Sequence, residues 1–176
     1  MDGGGLKSVM ISDFSGKVVI VTGGAGGLGK AFTLEFARLG AEVVCNDINP
    51  AAGEAVITEA ADLPGRIHVI AGSMGEPATR DALAAKARDL GGVDVLCNNV
   101  GIQPPSSYVP AHELDDAIWD AILTINLKSY FWMVKRCVPM MRAQGRGVII
   151  NTASVQACSR RRARPLMPRP RAAFSR

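Results

Sequence analysis

Two histidines, His68 and His112, are too few and too far apart to build a metal centre by spacing, so no metal is expected. The four cysteines, Cys45, Cys97, Cys137 and Cys158, show no CxxC or CxxH pattern, which excludes the usual zinc and dithiol frameworks. Cys45 and Cys97 fall inside apolar runs and read as buried free thiols, the mark of a reduced, cytoplasmic protein. No stretch approaches the ~20 apolar residues that cross a bilayer. Met1 to Gly16 lacks the basic-then-apolar plan of a signal peptide, so no membrane partner is expected. Tyrosine occurs only at positions 108 and 130, no lysine follows Lys135, and nothing repeats at a fixed period.

Acidic residues are missing after Ser159, where seven arginines fall: Arg160, Arg161, Arg162, Arg164, Arg169, Arg171 and Arg176. The chain has 20 basic and 16 acidic side chains, so residues 1–159 keep 13 basic against 16 acidic, a net of −3. The overall charge of +4 therefore belongs to the tail. Residues 157–176 combine arginine with several prolines and show no periodicity, and are expected to be a disordered tail behind one domain at 1–156. The tail lacks the aromatic interleaving of a nucleic-acid arm, and no nucleic-acid partner is expected.

What is present is a composition of a globular protein, 48% hydrophobic and 20% charged, with a repeating order of short β-branched runs and longer helical ones. Lys17–Thr22 (KVVIVT) fills consecutive positions with apolar residues, as a strand buried on both faces does. A glycine cluster at 23–29 leads to a helix over Lys30–Leu39, with an apolar face of Phe32, Leu34, Phe36 and Leu39 stopped by Gly40. Strands follow at Glu42–Asp47, Arg66–Ala71, Val93–Asn98 and Gly147–Thr152, the last also read as buried. Helices fall at Pro50–Ala61, Pro77–Leu90 and Leu114–Gln144, the last with a kink expected at Pro139. Alternating β-α units with buried strands predict a doubly wound α/β fold with a parallel sheet of about five strands in the order 3-2-1-4-5.

The first strand ends in Thr22-Gly23-Gly24-Ala25-Gly26-Gly27-Leu28-Gly29, directly before a helix. Glycines there let the backbone turn sharply and approach a pyrophosphate, and the helix N-terminus offers N–H groups and the positive end of its dipole. Two ligands fit such a loop. The nucleotide-hydrolase pattern GxxxxGK[ST] is nearly met from Gly24 but fails at Ala31, which has no hydroxyl for Mg²⁺. The dinucleotide pattern requires an acid at the end of the second strand for the adenosine ribose. Asp47 stands there, 18 residues after Gly29. Its alternative role is a turn or cap aspartate ahead of Asn49-Pro50. A carboxylate at this place repels a 2′-phosphate, and no Lys or Arg lies within Gly24–Leu28 to offset it. NAD is favoured over NADP.

In order and spacing these residues resemble the short-chain dehydrogenase/reductase family across 17–156. Thr22, Gly23, Gly27 and Gly29 match its TGxxxGxG motif, and Asn98-Asn99-Val100-Gly101 matches its NNAG motif with valine for alanine. The resemblance implies a Rossmann-type fold and cofactor contacts at Thr22, Gly23, Gly27, Leu28, Gly29, Asp47, Ile48, Asn99 and Gly101. It further implies that Asn126 holds a proton-relay water and that Ser154 hydrogen-bonds the substrate oxygen. The implied activity is hydride transfer between NAD and a small alcohol/carbonyl pair, in a homo-oligomer. Ser73-Met74 departs from the pattern, since many members have an aspartate there against adenine.

A larger departure follows Ser154. The family places its acid/base tyrosine about a dozen residues on, and a lysine four beyond. Met167 and Arg171 hold those positions here. General acid–base catalysis contributes roughly 10²–10⁴-fold, about 3–5 kcal/mol of barrier, so the chain is expected to be catalytically impaired. The alternative from another class is a dinucleotide-binding module without turnover.

The tail permits a reading at codon level. Methionine is ATG and proline codons begin CC, so a one-base shift turns Leu166-Met167 into TAT and Pro170-Arg171 into AAG with suitable codons. Tyr-Ala-Ala-Ser-Lys results, thirteen residues after Ser154 if one base is lost near codon 157. The expectation is a truncated or frameshifted member whose sheet edge at the fifth strand is left uncovered. The coding DNA tests it: a shifted frame without a tyrosine and a lysine four apart ends the idea.

Overall fold

The computed structural model describes residues 13–154. The expected tail at 157–176, with Met167 and Arg171, lies outside the described residues. Five strands, β1 (Val18–Thr22), β2 (Glu42–Asp47), β3 (Arg66–Ala71), β4 (Val95–Asn98) and β5 (Val148–Asn151), form one parallel sheet in the order β3-β2-β1-β4-β5. This is the predicted Rossmann-type order. The helices are α1 (Gly27–Arg38), α2 (Pro50–Glu59), α3 (Pro77–Asp89), α4 (Asp116–Leu123) and α5 (Ser129–Ala143).

Alternation along the central strands sorts the core into two faces. Val18 and Ile20 of β1, Val44 of β2 and Leu96 of β4 pack with Leu83 and Ala87 of α3 and Met133 and Cys137 of α5. Val19, Val21, Val43, Val95 and Cys97 point the other way, against Ala37 with Phe32 and Phe36 of α1. Cys45 and Val69 meet Val56 of α2 on that same side. Strands buried on both faces favour apolar residues at consecutive positions, as at Val18–Val21 of β1 and Val43–Cys45 of β2.

Three features depart from the sequence reading. Helix α1 begins at Gly27, inside the glycine cluster, and the residues it buries fully are Gly29, Thr33 and Ala37. Small side chains at four-residue spacing bring the helix close to the sheet, and the phenylalanines fill the flank. The long helix continues from Ser129 past Pro139, which has no N–H to give its ladder, to Ala143, and is preceded by a π-helical turn at Thr124–Lys128 that the sequence reading did not foresee. Strand β5 is exposed along its whole length, with Val148 at 54%, Ile149 at 36% and Ile150 at 41%. It pairs with β4 on one edge, and among the described residues no helix covers it.

Both ends of the β1–β4 pair are fastened by polar side chains. At one end the buried Asp94 accepts from the Val18 N–H at 3.0 Å and from Arg146 Nε at 2.8 Å, with Lys17 Nζ at 3.5 Å. At the other end Thr22, with no exposed surface, donates its hydroxyl to the Cys97 carbonyl. It accepts in return from the N–H groups of Asn99 and Val100 at 3.0 and 3.1 Å.

Candidate functional site

The carboxyl ends of β1, β2 and β4 converge at the point where the chain order reverses, the place where open parallel sheets form a crevice. Gly23 leaves β1 with φ +62°, and a Cβ there would stand 3.0 Å from Val100 Cα. A Cβ at Gly29 would run into the Gly23 carbonyl and come within 2.6 Å of Asn99 Nδ2. Glycine at these two positions thus lets the loop, α1 and the end of β4 pack together. The Asn99 amide then ties the loop down, donating to the carbonyls of Thr22 and Gly23, each at 3.2 Å.

Helix α1 opens at N-cap Gly26 with no side-chain cap and no acid in its first turn. Its first-turn N–H groups have no carbonyl one turn back, and the dipole there is positive. That combination accepts an anion. Asp47 closes the site from β2: Oδ2 accepts from the Ala25 N–H at 3.1 Å and Oδ1 from the Asn49 N–H at 3.1 Å. The turn role ahead of α2 is thus present, together with a contact to the glycine loop that the sequence reading did not include. Capping of α2 itself falls to Asn49, which accepts from Ala51 and Ala52.

These elements enclose a cavity of about 480 Å³, within the range of small-molecule and cofactor sites. Gly23, Asp47, Ile48, Asn99 and Gly101 line it, as do Gly26, Asn46, Gly72, Ser73, Met74, Val100, Ile102 and Ile125. Thr22, Gly27, Leu28 and Gly29 are not on its wall. Thr22 lies beneath it as a tie between strands, and the Leu28 side chain is 54% exposed. Sequence reading did not single out Asn46. Its signal is a polar residue in a buried strand, and its amide donates to the carbonyls of Ile70 and Gly72, fixing the turn after β3.

A second cavity of about 730 Å³ adjoins the first through Asn99, Val100 and Gly101. Asn126 and Ser154 both line it, with Tyr130, Phe131 and Thr152. Asn126 sits in the π-helical turn, where its Oδ1 accepts from the Ile102 N–H at 2.7 Å and its Nδ2 donates to the Ile102 carbonyl at 2.9 Å. Its side chain thereby holds the post-β4 loop to the helix. Ser154 follows β5 by three residues at the cavity rim.

The model of the short chain dehydrogenase family matches residues 17–165. The chain belongs to that family. Among curated short chain dehydrogenase relatives, a hydroxyacyl-CoA dehydrogenase of Mycobacterium tuberculosis is 35% identical over 161 residues, 84% of this chain and 50% of its own. A 3-oxoacyl-(acyl-carrier-protein) reductase of Thermotoga maritima is 36% identical over 141 residues, 80% of this chain and 56% of its own. The chain thus spans about half the length of these relatives. A metagenomic short-chain oxidoreductase in complex with NADP superposes with a TM-score of 0.74 at 33% identity, over 80% of this chain and 63% of that one. A short-chain dehydrogenase/reductase of Burkholderia xenovorans gives 0.74 at 34%, over 82% and 56%.

Among the described residues of this short chain dehydrogenase, no group of three or more His, Cys, Asp or Glu could hold a metal ion. No helix there is long and apolar enough to cross a membrane. Cys45, Cys97 and Cys137 are free and buried, and burial pushes their thiols up to about 11, 11 and 12.

Proposed function

We propose that this chain binds NAD in the crevice between Gly23, Asp47 and Asn99, and that it is an alcohol/carbonyl oxidoreductase by descent with its own turnover impaired. The observation that carries this is the Asp47 carboxylate on the wall of the cavity, in contact with the glycine loop at Ala25. The residues present fit a dinucleotide. The uncapped first turn of α1 would take the pyrophosphate, Asp47 the adenosine ribose hydroxyls, and Ser73 and Met74 the adenine side. Asn99, Val100 and Gly101 would border the second half, with Asn126 and Ser154 in the adjoining cavity.

Asp47 sets the cofactor preference. Its negative charge accepts hydrogen bonds from ribose hydroxyls and repels a 2′-phosphate, which favours NAD, although a relative of known structure holds NADP. When bound, the nicotinamide supplies or accepts the hydride. Ser154 would hydrogen-bond the substrate oxygen, and Asn126 would keep the loop at Ile102 in place. Neither can pass a proton as a phenol and a lysine do, and Met167 and Arg171 stand where the family has those groups. The substrate class is a small alcohol or carbonyl. Unpaired buried thiols support a reducing compartment, and we take it to be the cytoplasm.

Calorimetry with NADH and NADPH, beside an alcohol-oxidation assay, tests the reading. NADH binding stronger than NADPH binding, without turnover, is the expected result and fits the non-catalytic module. Turnover would overturn the impairment, and failure to bind either dinucleotide would overturn the site.

A further inference from the structure

Tyr130 projects from the first turn of α5 into the second cavity and is half-buried there. Its hydroxyl stands 3.0 Å from the Val100 carbonyl and 3.4 Å from the Thr152 carbonyl. Val100 belongs to the segment after β4 that walls both cavities, and Thr152 to the segment after β5 that leads to Ser154. A phenol has one proton to donate and keeps only acceptor capacity for anything else. Two backbone carbonyls share that proton in a three-centre bond, with Val100 the closer, so the one hydroxyl bridges both segments.

β4 and β5 hold each other in register as far as Asn98 and Asn151, and the Thr152 N–H still donates to the Asn98 carbonyl at 2.9 Å. Past that level the two segments leave the ladder. We infer that Tyr130 is a positioning residue: its hydroxyl sets the separation between the Val100 segment and the segment carrying Ser154. It thereby fixes where the half of the dinucleotide beyond the pyrophosphate can lie. This rests on the proposed NAD reading of the first cavity. Two details agree with it. Burial raises the phenol above its ordinary value of 10.0, so the proton its hydroxyl donates is retained into more alkaline solution than a free phenol's. Asn126, four residues earlier on the same helix, holds Ile102 of the same loop, so one helix face grips the loop at two points.

The test compares the full chain with Tyr130→Phe, which keeps the ring and removes the proton. By hydrogen exchange, the amides of Val100 and Thr152 are expected to exchange roughly two- to tenfold faster, the span of one net hydrogen bond, while Val19 to Val21 stay unchanged. By calorimetry, NADH is expected to bind roughly three- to tenfold more weakly, and ADP-ribose, which lacks the nicotinamide, to be unaffected within about twofold. Exchange unaltered at Val100 and Thr152 overturns the inference. So does equal weakening of both ligands, which marks general loosening, or NADH binding that does not change. Tyr130→Leu, which also removes the ring, separates packing from the hydroxyl: a Phe variant as impaired as the Leu variant at the two amides supports the clasp. If the unaltered chain binds neither ligand, the NAD reading fails, and the exchange comparison still decides the role of Tyr130 in holding the two segments.

Discussion

Asp47 accepts a hydrogen bond from the backbone N–H of Ala25 across 22 residues of sequence, joining the end of β2 to the middle of the glycine loop. A carboxylate that both steadies the loop and faces the cavity makes the shape of the proposed phosphate site depend on the residue proposed to bind the ribose. Asp47→Ala removes both. NADH affinity is expected to fall roughly ten- to a hundredfold, the value of one or two hydrogen bonds to a charged group. NADPH should lose far less, since repulsion of its 2′-phosphate disappears. Calorimetric dissociation constants for the two cofactors measure the ratio. An unchanged ratio would reduce Asp47 to a turn residue.

Gly29→Ala places a methyl group against the Gly23 carbonyl, a backbone atom that cannot swing aside. The loop must move, at a cost of about 1–3 kcal/mol as in other overpacked sites. Urea melts should show the lower midpoint. NADH binding should fall further than stability alone accounts for, because the displaced carbonyl also lies under Asn99 Nδ2.

Asp94 governs part of the acid sensitivity. Burial pushes its carboxyl up, but the hydrogen bonds from Arg146 and the Val18 N–H and the charges of Lys17 and Arg146 outweigh that, and the group lies below its ordinary 3.8. A depressed carboxyl contributes stability that is fully present above the unfolded value and is lost as pH falls through the folded one. Asp94→Asn should therefore lower stability at pH 7 and show less of the fall below about pH 4 that the unaltered protein shows. Urea midpoints at pH 7 and pH 3 for both proteins give the comparison; parallel losses would refute it.

Cys45, Cys97 and Cys137 should resist alkylation at pH 8 in the folded protein, their thiols being pushed to about 11 or 12 by burial. The thiolate is the reactive form. Peptide mapping after iodoacetamide treatment, with and without urea, checks this. Rapid native labelling of any of the three would contradict the packing around it.

The sheet was legible because burial on both faces makes β1 apolar over Val18–Val21 and β2 over Val43–Cys45. The place of Asp47 at the end of β2, on the wall of the first cavity, was legible from the strand pattern and the spacing from the glycine loop. The start of α1 was not: a run of glycines signals a loop, yet the first helical bond, Lys30 N–H to the Gly26 carbonyl, forms among them. The phenylalanines of α1 looked like its core face, but close approach to the sheet selects Gly29, Thr33 and Ala37, whose four-residue spacing is not one of apolar bulk. Pro139, where a kink was expected, lies inside α5, while the π-helical turn at Thr124–Lys128 has no sequence mark, and Asn126 within it holds Ile102. Nothing in the sequence singled out Tyr130 for a role, since the carbonyls its hydroxyl meets, Val100 and Thr152, are 30 and 22 positions away.

The strand order also has a consequence for assembly. From β1 the chain winds outward to β3, then returns to lay β4 against the opposite side of β1, so the crevice is the seam between two wings. Thr22 and Asn99, some 77 positions apart, must meet before that seam closes. A nucleotide lying across it would act as a staple, adding its binding energy to the junction formed by the longest-range contacts.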